Sequence, residues 1–202
     1  MQVPIVLASA SPRRRALLEA LGIELEVVVS DAPETLEGLP REVVIRNAIA
    51  KRDEVRSRTT TPALIVAADT VVVIENEILG KPDDLDAARA MLSRLSGNTH
   101  SVLTGVAIAH TGTDRAAEGV EETRVTFREL SAAEIDLFVE AVRPLDRAGA
   151  YTVDGPGSLL VERYEGCYQN VLGLPLVCLD RLLRTIGDNL FSRIQADRAQ
   201  FL

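Results

Sequence analysis

Apolar and polar positions fall into blocks along this chain, and most blocks have a readable period. Val3 to Ala8 is a short continuous apolar run, the pattern of a buried strand. Ser9-Ala10-Ser11-Pro12 breaks it, with Ser11 suited to an N-cap and Pro12 to the first helical position. A helix follows from Arg13 to Leu21, with Ala16, Leu17, Ala20 and Leu21 on one face and Gly22 as its stop. Leu25 to Val29 reads as a second strand. Ser30 to Leu39 is an acidic loop holding Asp31, Glu34 and Glu37. Pro40 opens a long helix to about Arg58, in which Val43, Val44, Asn47, Ala48 and Lys51 share one stripe.

Beyond the break at Thr59–Pro62, two β-branched segments, Leu64–Ala68 and Val71–Ile74, flank Asp69-Thr70. Glu75-Asn76-Glu77 reads as a turn. Gly80-Lys81-Pro82 leads to a helix from Asp83 to Leu95, ended by Ser96-Gly97. Ser101–Ala109 and Val120–Phe127 form a long hairpin around Thr111-Gly112-Thr113. Ser131 caps a helix to Val142, and Glu134 completes a capping box. A stretch rich in Gly and Pro follows, then a strand at Leu159–Arg163 and a helix at Leu174–Ile186. The residues after 186 are polar and read as a mobile tail, so the expected organisation is one domain over 1–186 and a tail over 187–202. Strands alternating with helices, plus one long hairpin, indicate an α/β fold with a mixed sheet.

Composition narrows the class of function. The 202 residues suit one domain, with 47% hydrophobic and 26% charged residues as in an ordinary soluble protein. A net charge of −8 argues against a general nucleic-acid binder, yet leaves room for one basic pocket that takes a phosphorylated ligand. Cys167 and Cys178 make neither a disulfide framework nor a thiolate zinc site, and two histidines exclude a His-rich metal site. No apolar run reaches the roughly 20 residues of a membrane span, and the N-terminus lacks the positive region of a signal peptide. A cytoplasmic enzyme that engages neither nucleic acid nor membrane is the expectation. One count stands out: of 22 basic residues, only Lys51 and Lys81 are lysines. A position that stays Lys in so Arg-rich a chain points to a need for a compact ammonium.

Six segments carry side chains suited to chemistry. Ser9-Ala10-Ser11-Pro12-Arg13-Arg14-Arg15 feeds a strand into a helix N-terminus, where backbone N–H groups, hydroxyls and guanidinium forks favour an anion. Three arginines oppose the helix dipole there, a local cost that an anionic ligand would offset. Asp69 interrupts an apolar run, and a carboxylate so placed needs a cation, a metal or a hydrogen-bond network. Leu79-Gly80-Lys81-Pro82, the stretch Ser96-Gly97-Asn98-Thr99-His100, Asp146-Arg147-Ala148-Gly149-Ala150-Tyr151 with Asp154-Gly155, and Asn170-Val171-Leu172-Gly173-Leu174-Pro175 complete the set. No Walker A loop is present.

Taken together and in this order, these segments resemble the Maf family of nucleotide pyrophosphatases over residues 3 to 186. The resemblance implies a mixed α/β sheet with flanking helices, elongated and with two lobes around a deep cleft, related to the inosine-triphosphate pyrophosphatases. It implies hydrolysis of a nucleoside triphosphate between the α- and β-phosphates, and a divalent metal, Mg²⁺ first and Mn²⁺ as the alternative. By position it makes Asp69 the general base. It links Arg13, Thr70 and Asp154 to substrate selection, and puts Ser9, Arg14, Glu34, Lys51 and Lys81 at other pocket positions. Asp69 and Glu34 are the expected metal ligands, with base and ligand open as competing roles for Asp69. The Asp146–Tyr151 segment is similar to the branch that acts on dTTP and UTP. The same chemistry on 7-methyl-GTP or another modified nucleotide, and a nucleotide-binding role in septum formation, are the alternatives. Two departures stand out: Arg147 replaces the family's usual Lys, and Asp154 its usual Gln, which opens the question of base preference. A homodimer is the expected assembly.

Overall fold

The computed structural model describes residues 2–200. In chain order its main elements are β1 (Ile5–Leu7), α1 (Pro12–Glu19), β2 (Leu25–Val27), α2 (Pro40–Arg58), β3 (Leu64–Ile74), β4 (Glu77–Leu79) and α3 (Leu85–Leu95). Then come β5 (Thr99–His110), β6 (Ala116–Phe127), α4 (Ala132–Val142), β7 (Val161–Glu165), α5 (Tyr168–Val171) and α6 (Leu176–Thr185). The strands form one sheet in the order β2-β1-β3-β5-β6-β7, with β4 added to β3. β1 runs parallel to β2 and β3, and the remaining pairs are antiparallel. The expected mixed sheet with flanking helices is therefore observed. Among the described residues no helix is long and apolar enough to cross a membrane.

β3 organises everything around it. It was expected as two segments separated at Asp69, but it is a single strand of 11 residues paired along one side with β5 from Leu64 to Val73. The β-branched residues on both sides of Asp69 carry the extended backbone straight through the carboxylate. Its other side changes partner. β1 covers Leu64–Val66, and β4 covers Val72–Ile74. Neither strand pairs with residues 67–71, so the sheet edge is interrupted beside Asp69 and Thr70.

Side-chain alternation along β3 turns that gap into a seam between cores. On one face Leu64, Val66 and Ala68 join a cluster with Leu17, Leu18 and Leu179, while Val72 and Ile74 join another with Leu92, Phe127 and Phe138. Thr70 stands between the two. On the opposite face Ile65 and Ala67 pack with Val6 and Val55, whereas Val71 packs with Val43, Val44 and Leu103. Asp69 stands between those.

Helix α2 spans the range its stripe predicted. Its Pro40 sits at the first helical position, and Val43, Val44, Asn47, Ala48, Lys51, Arg52 and Val55 are buried. Gly105 lets it lie so low on the sheet, because a Cβ there would come within 2.3 Å of the Val44 carbonyl oxygen. Gly105 is the β5 partner of Asp69, so the closest helix–sheet approach falls beside the carboxylate.

The remaining differences are local. β7 starts two residues later than expected, because Gly155–Leu159 winds into a 3-10 turn. The hairpin arms are longer than their apolar runs, since the cross-strand ladder continues into the polar ends at Thr99 and Ala116. Ser131 and Glu134 form the expected capping box. The polar segment after residue 186, expected to trail free, lies instead against the β1 end. Leu190 enters the core, Arg193 pairs with Asp188 and donates to the Val3 carbonyl at 2.9 Å, and the Gln200 N–H donates to the Ala20 carbonyl at 2.9 Å.

Candidate active site

A cavity of about 380 Å³ opens at the seam. Ser9, Arg13, Arg14, Glu34, Lys51 and Asp69 line it, together with Thr70 and Lys81. Of the nine residues that the resemblance puts at catalytic, substrate-selecting or other pocket positions, Asp154 alone lies outside its wall.

Asp69 is held from the α2 side. Asn47 and Lys51, four residues apart, project from the same helix face. The Lys51 ammonium donates to Asp69 Oδ1 at 2.6 Å, and Asn47 Nδ2 donates to Oδ2 at 2.9 Å. Each carboxylate oxygen thus has one fixed donor and keeps further acceptor capacity toward the cavity. Lys51 also lies 2.6 Å from Glu34 Oε1, so one ammonium is shared by two carboxylates. Lys81 approaches the other Glu34 oxygen at 4.0 Å and is largely exposed. Burial pushes the Glu34 carboxyl up, but the hydrogen bond and charge of Lys51, then Lys81 and Arg14, outweigh it and leave its pKa below the ordinary value.

Asn47 is the residue that sequence reasoning missed. It was visible only as a polar member of the α2 stripe. Besides holding Asp69, it accepts from the Thr35 N–H at 3.1 Å and donates to the Thr35 carbonyl at 2.9 Å. It thereby fixes the acidic loop next to Glu34.

On the other face, Arg14 is surrounded by protein acceptors. Its guanidinium donates to the Gly173 carbonyl at 2.7 Å, Ser9 Oγ at 3.0 Å, the Ala68 carbonyl at 2.9 Å and Thr70 Oγ1 at 3.0 Å. The Ala68 carbonyl is available because neither β1 nor β4 reaches it. Burial lowers the Arg14 pKa, while the charges of Asp69 and Glu34 oppose the shift. Thr70 shares a hydrogen bond of 2.9 Å with Thr104, its partner on β5, and Thr104 donates to the Asn170 carbonyl at 3.1 Å. Fully buried Asn170 donates to the Val102 carbonyl and Thr123 Oγ1, at 2.9 and 3.0 Å. This explains the Asn170–Pro175 motif: it anchors the turn whose Gly173 carbonyl receives Arg14.

The far wall comes from the Asp146–Tyr151 segment. The Gly149 N–H donates to the Gly80 carbonyl at 3.0 Å, which joins this wall to the Lys81 loop. Tyr151 lines the cavity and shares a 2.8 Å hydrogen bond with buried His100 Nε2. Burial pushes His100 down to about 4 and the Tyr151 phenol up. His100 is therefore a neutral support beneath the wall rather than a group facing the cavity. Asp154 is exposed at the rim, where it accepts from the Thr152 hydroxyl.

The Maf-like protein family model matches residues 4–186. A dTTP/UTP pyrophosphatase of Dictyoglomus thermophilum is 43% identical over 193 residues, covering 94% of this chain and 100% of that protein. Another dTTP/UTP pyrophosphatase, from Salinibacter ruber, is 48% identical over 187 residues, covering 91% of each. Among solved structures, a nucleoside-triphosphatase / dITP/XTP pyrophosphatase from Mycobacterium abscessus overlaps 63% of this chain and 76% of its own, with a TM-score of 0.43 and 18% identity. With its family model matched from residue 4 to residue 186 and relatives above 40% identity over nearly all its length, the chain belongs to the Maf-like protein family.

Proposed function

We propose that this protein is a nucleoside triphosphate pyrophosphatase that hydrolyses dTTP and UTP to the monophosphate and pyrophosphate. The observation that carries the reading is the seam at Asp69. A carboxylate fixed by Lys51 and Asn47 faces a cavity whose other walls bring Arg13, Arg147 and Lys81. The names of the relatives, dTTP/UTP pyrophosphatase, supply the substrate class.

In this reading Asp69 orients the attacking water and accepts its proton. The water oxygen bonds to the α-phosphorus, and the bond from that phosphorus to the bridging oxygen breaks. The bridging electron pair leaves with pyrophosphate. Lys51 holds the carboxylates of Asp69 and Glu34 at close quarters through one shared ammonium. Arg13 and Lys81 neutralise phosphate oxygens as charge moves to the leaving group. Arg14 has a different part: its donors are engaged by protein, so it keeps Ser9 and Thr70 in place.

Asp69 and Glu34 are the residues that would hold a divalent cation, Mg²⁺ or Mn²⁺. Among the described residues no group of three or more His, Cys, Asp or Glu side chains forms a metal cluster. Two carboxylates converging on one positive charge still fit Mg²⁺, which takes one or two carboxylates and completes its shell with phosphate and water oxygens. Such a cation would add electrostatic neutralisation of the phosphates.

The test is product analysis over dTTP, UTP, CTP and 7-methyl-GTP with Mg²⁺, repeated with EDTA. Monophosphate plus pyrophosphate from dTTP and UTP, abolished by EDTA, is expected; a nucleoside diphosphate plus orthophosphate would overturn the reading. Asp69→Asn is expected to lower kcat by at least about 10²-fold, the usual scale of a general base. Its fold should survive, because Lys51 keeps Glu34 as a partner. A folded variant with near-native turnover would remove Asp69 from the chemistry.

A further inference from the structure

The wall of the cavity formed by residues 146–151 carries a guanidinium in an unusual state. Nε and Nη1 of Arg147 are both buried, and neither has a hydrogen-bond partner among the described residues. The carboxylate of the adjoining Asp146 comes only to 3.7 Å from Nε, too far to accept a hydrogen bond. Buried N–H donors on a charged group are costly to leave without acceptors.

A second guanidinium shares the same cavity. Burial depresses the Arg13 pKa, and the next largest influence is the positive charge of Arg147, ahead of the opposing Asp154 and Asp146. Two cations are thus held within electrostatic reach of each other. Arg14, one residue along, shows the contrast, since it meets four protein acceptors. The platform under Arg147 is fixed as well. Gly149 has a φ of +67°, is tied to the Gly80 carbonyl, and would place a Cβ 3.0 Å from Val72.

We propose that Arg147 and Arg13 form a two-sided guanidinium clamp for the pyrophosphate half of the substrate, the β- and γ-phosphates that depart together. An anion answers both anomalies at once: its oxygens accept from the orphaned N–H groups, and its charge relieves the repulsion between the two cations. A pyrimidine carbonyl would satisfy donors but leave the repulsion. The clamp also places positive charge where the bridging oxygen becomes an anion, on the leaving-group side of the bond that Asp69's water attacks. The inference rests on the pyrophosphatase reading and adds the residues that hold its leaving group.

Calorimetric titration of the full chain with inorganic pyrophosphate, and separately with dTMP, tests it. Arg147→Met is expected to weaken pyrophosphate binding by at least about tenfold and to leave dTMP within about twofold, as for loss of a charge-assisted fork on phosphate. Arg147→Lys, which keeps charge but not the fork, is expected to fall between wild type and Met. Should the Met variant fail to fold, the Lys variant decides: weakened pyrophosphate affinity supports the clamp, and unchanged affinity overturns it. Loss of dTMP affinity with pyrophosphate affinity retained also overturns it, by assigning Arg147 to the nucleoside half. A wild type that cleaves dTTP to dTMP and pyrophosphate while Arg147→Met binds pyrophosphate normally refutes the clamp alone. A wild type that neither binds pyrophosphate nor cleaves dTTP overturns the pyrophosphatase reading itself.

Discussion

Lys51 and Lys81 are the two lysines in an Arg-rich chain, and their surroundings separate them. The Lys51 ammonium sits 2.6 Å from both Asp69 Oδ1 and Glu34 Oε1, nearly enclosed by protein. A planar, wider guanidinium cannot keep both contacts in that space. Lys81 is mostly exposed and only loosely paired at 4.0 Å, so it has room for the larger head. Steady-state kinetics should therefore show Lys51→Arg losing at least about tenfold in kcat/KM and Lys81→Arg changing it by no more than about threefold, in line with lost ion-pair geometry at one site and little at the other. Equal effects in the two variants would contradict this distinction. Lys51→Met removes the shared cation altogether. Urea unfolding should show a loss of about 3–5 kcal/mol, the usual cost of leaving a buried charge without its partner. Composition thus marked both lysines for attention, but it contained nothing to tell an enclosed ammonium from an exposed one.

At the scale of elements, the site exists because α2 descends onto β3 where that strand changes partners. Gly105 permits the descent. Gly105→Ala would put a methyl group 2.3 Å from the Val44 carbonyl and force the helix outward. Thermal unfolding should show a loss of about 1–3 kcal/mol, as for overpacking, and turnover should fall because Asn47 and Lys51 move with the helix. A variant with native stability and kinetics would mean that the helix position is not what orients Asp69. Much of this layer was legible beforehand. The α2 range follows from Pro40 and the apolar stripe, and the α4 cap from Ser131 and Glu134. Asn47 and Lys51 were seen on one helix face, yet their meeting with Asp69 was not. Lys51 and Asp69 lie 18 positions apart, and only the tertiary register brings them together. The continuity of β3 through Asp69 was missed for the same reason. A carboxylate in an apolar run reads as a break until its partners on the neighbouring helix are known. Asp154 was picked out with the Asp146–Tyr151 segment and its substrate-selecting role came from resemblance, but its place at the rim depends on a 3-10 turn that its Gly and Pro neighbours do not specify uniquely.

Across the whole molecule, apolar clusters on both faces of the sheet stop at the same point on β3, and the polar cavity occupies the interruption. Buried His100 ties the far wall to one of these cores through Tyr151 and Phe127. Burial holds its pKa down to about 4, against about 6.5 in an unfolded chain. Between those values the unfolded state binds more protons, so the contribution to stability is complete above about pH 6.5 and is lost as pH falls toward 4, up to about 3 kcal/mol. Urea midpoints measured from pH 7.5 to 4.5 should fall more steeply for the wild type than for His100→Gln, which cannot titrate. Parallel slopes would show that His100 does not govern acid stability. The central claim is chemical: water attacks the α-phosphorus beside Asp69 and pyrophosphate leaves. Mass analysis of dTTP hydrolysis in ¹⁸O-labelled water tests it most directly. Label in dTMP with unlabelled pyrophosphate is the predicted result; label in pyrophosphate, or the appearance of dTDP and orthophosphate, would contradict it.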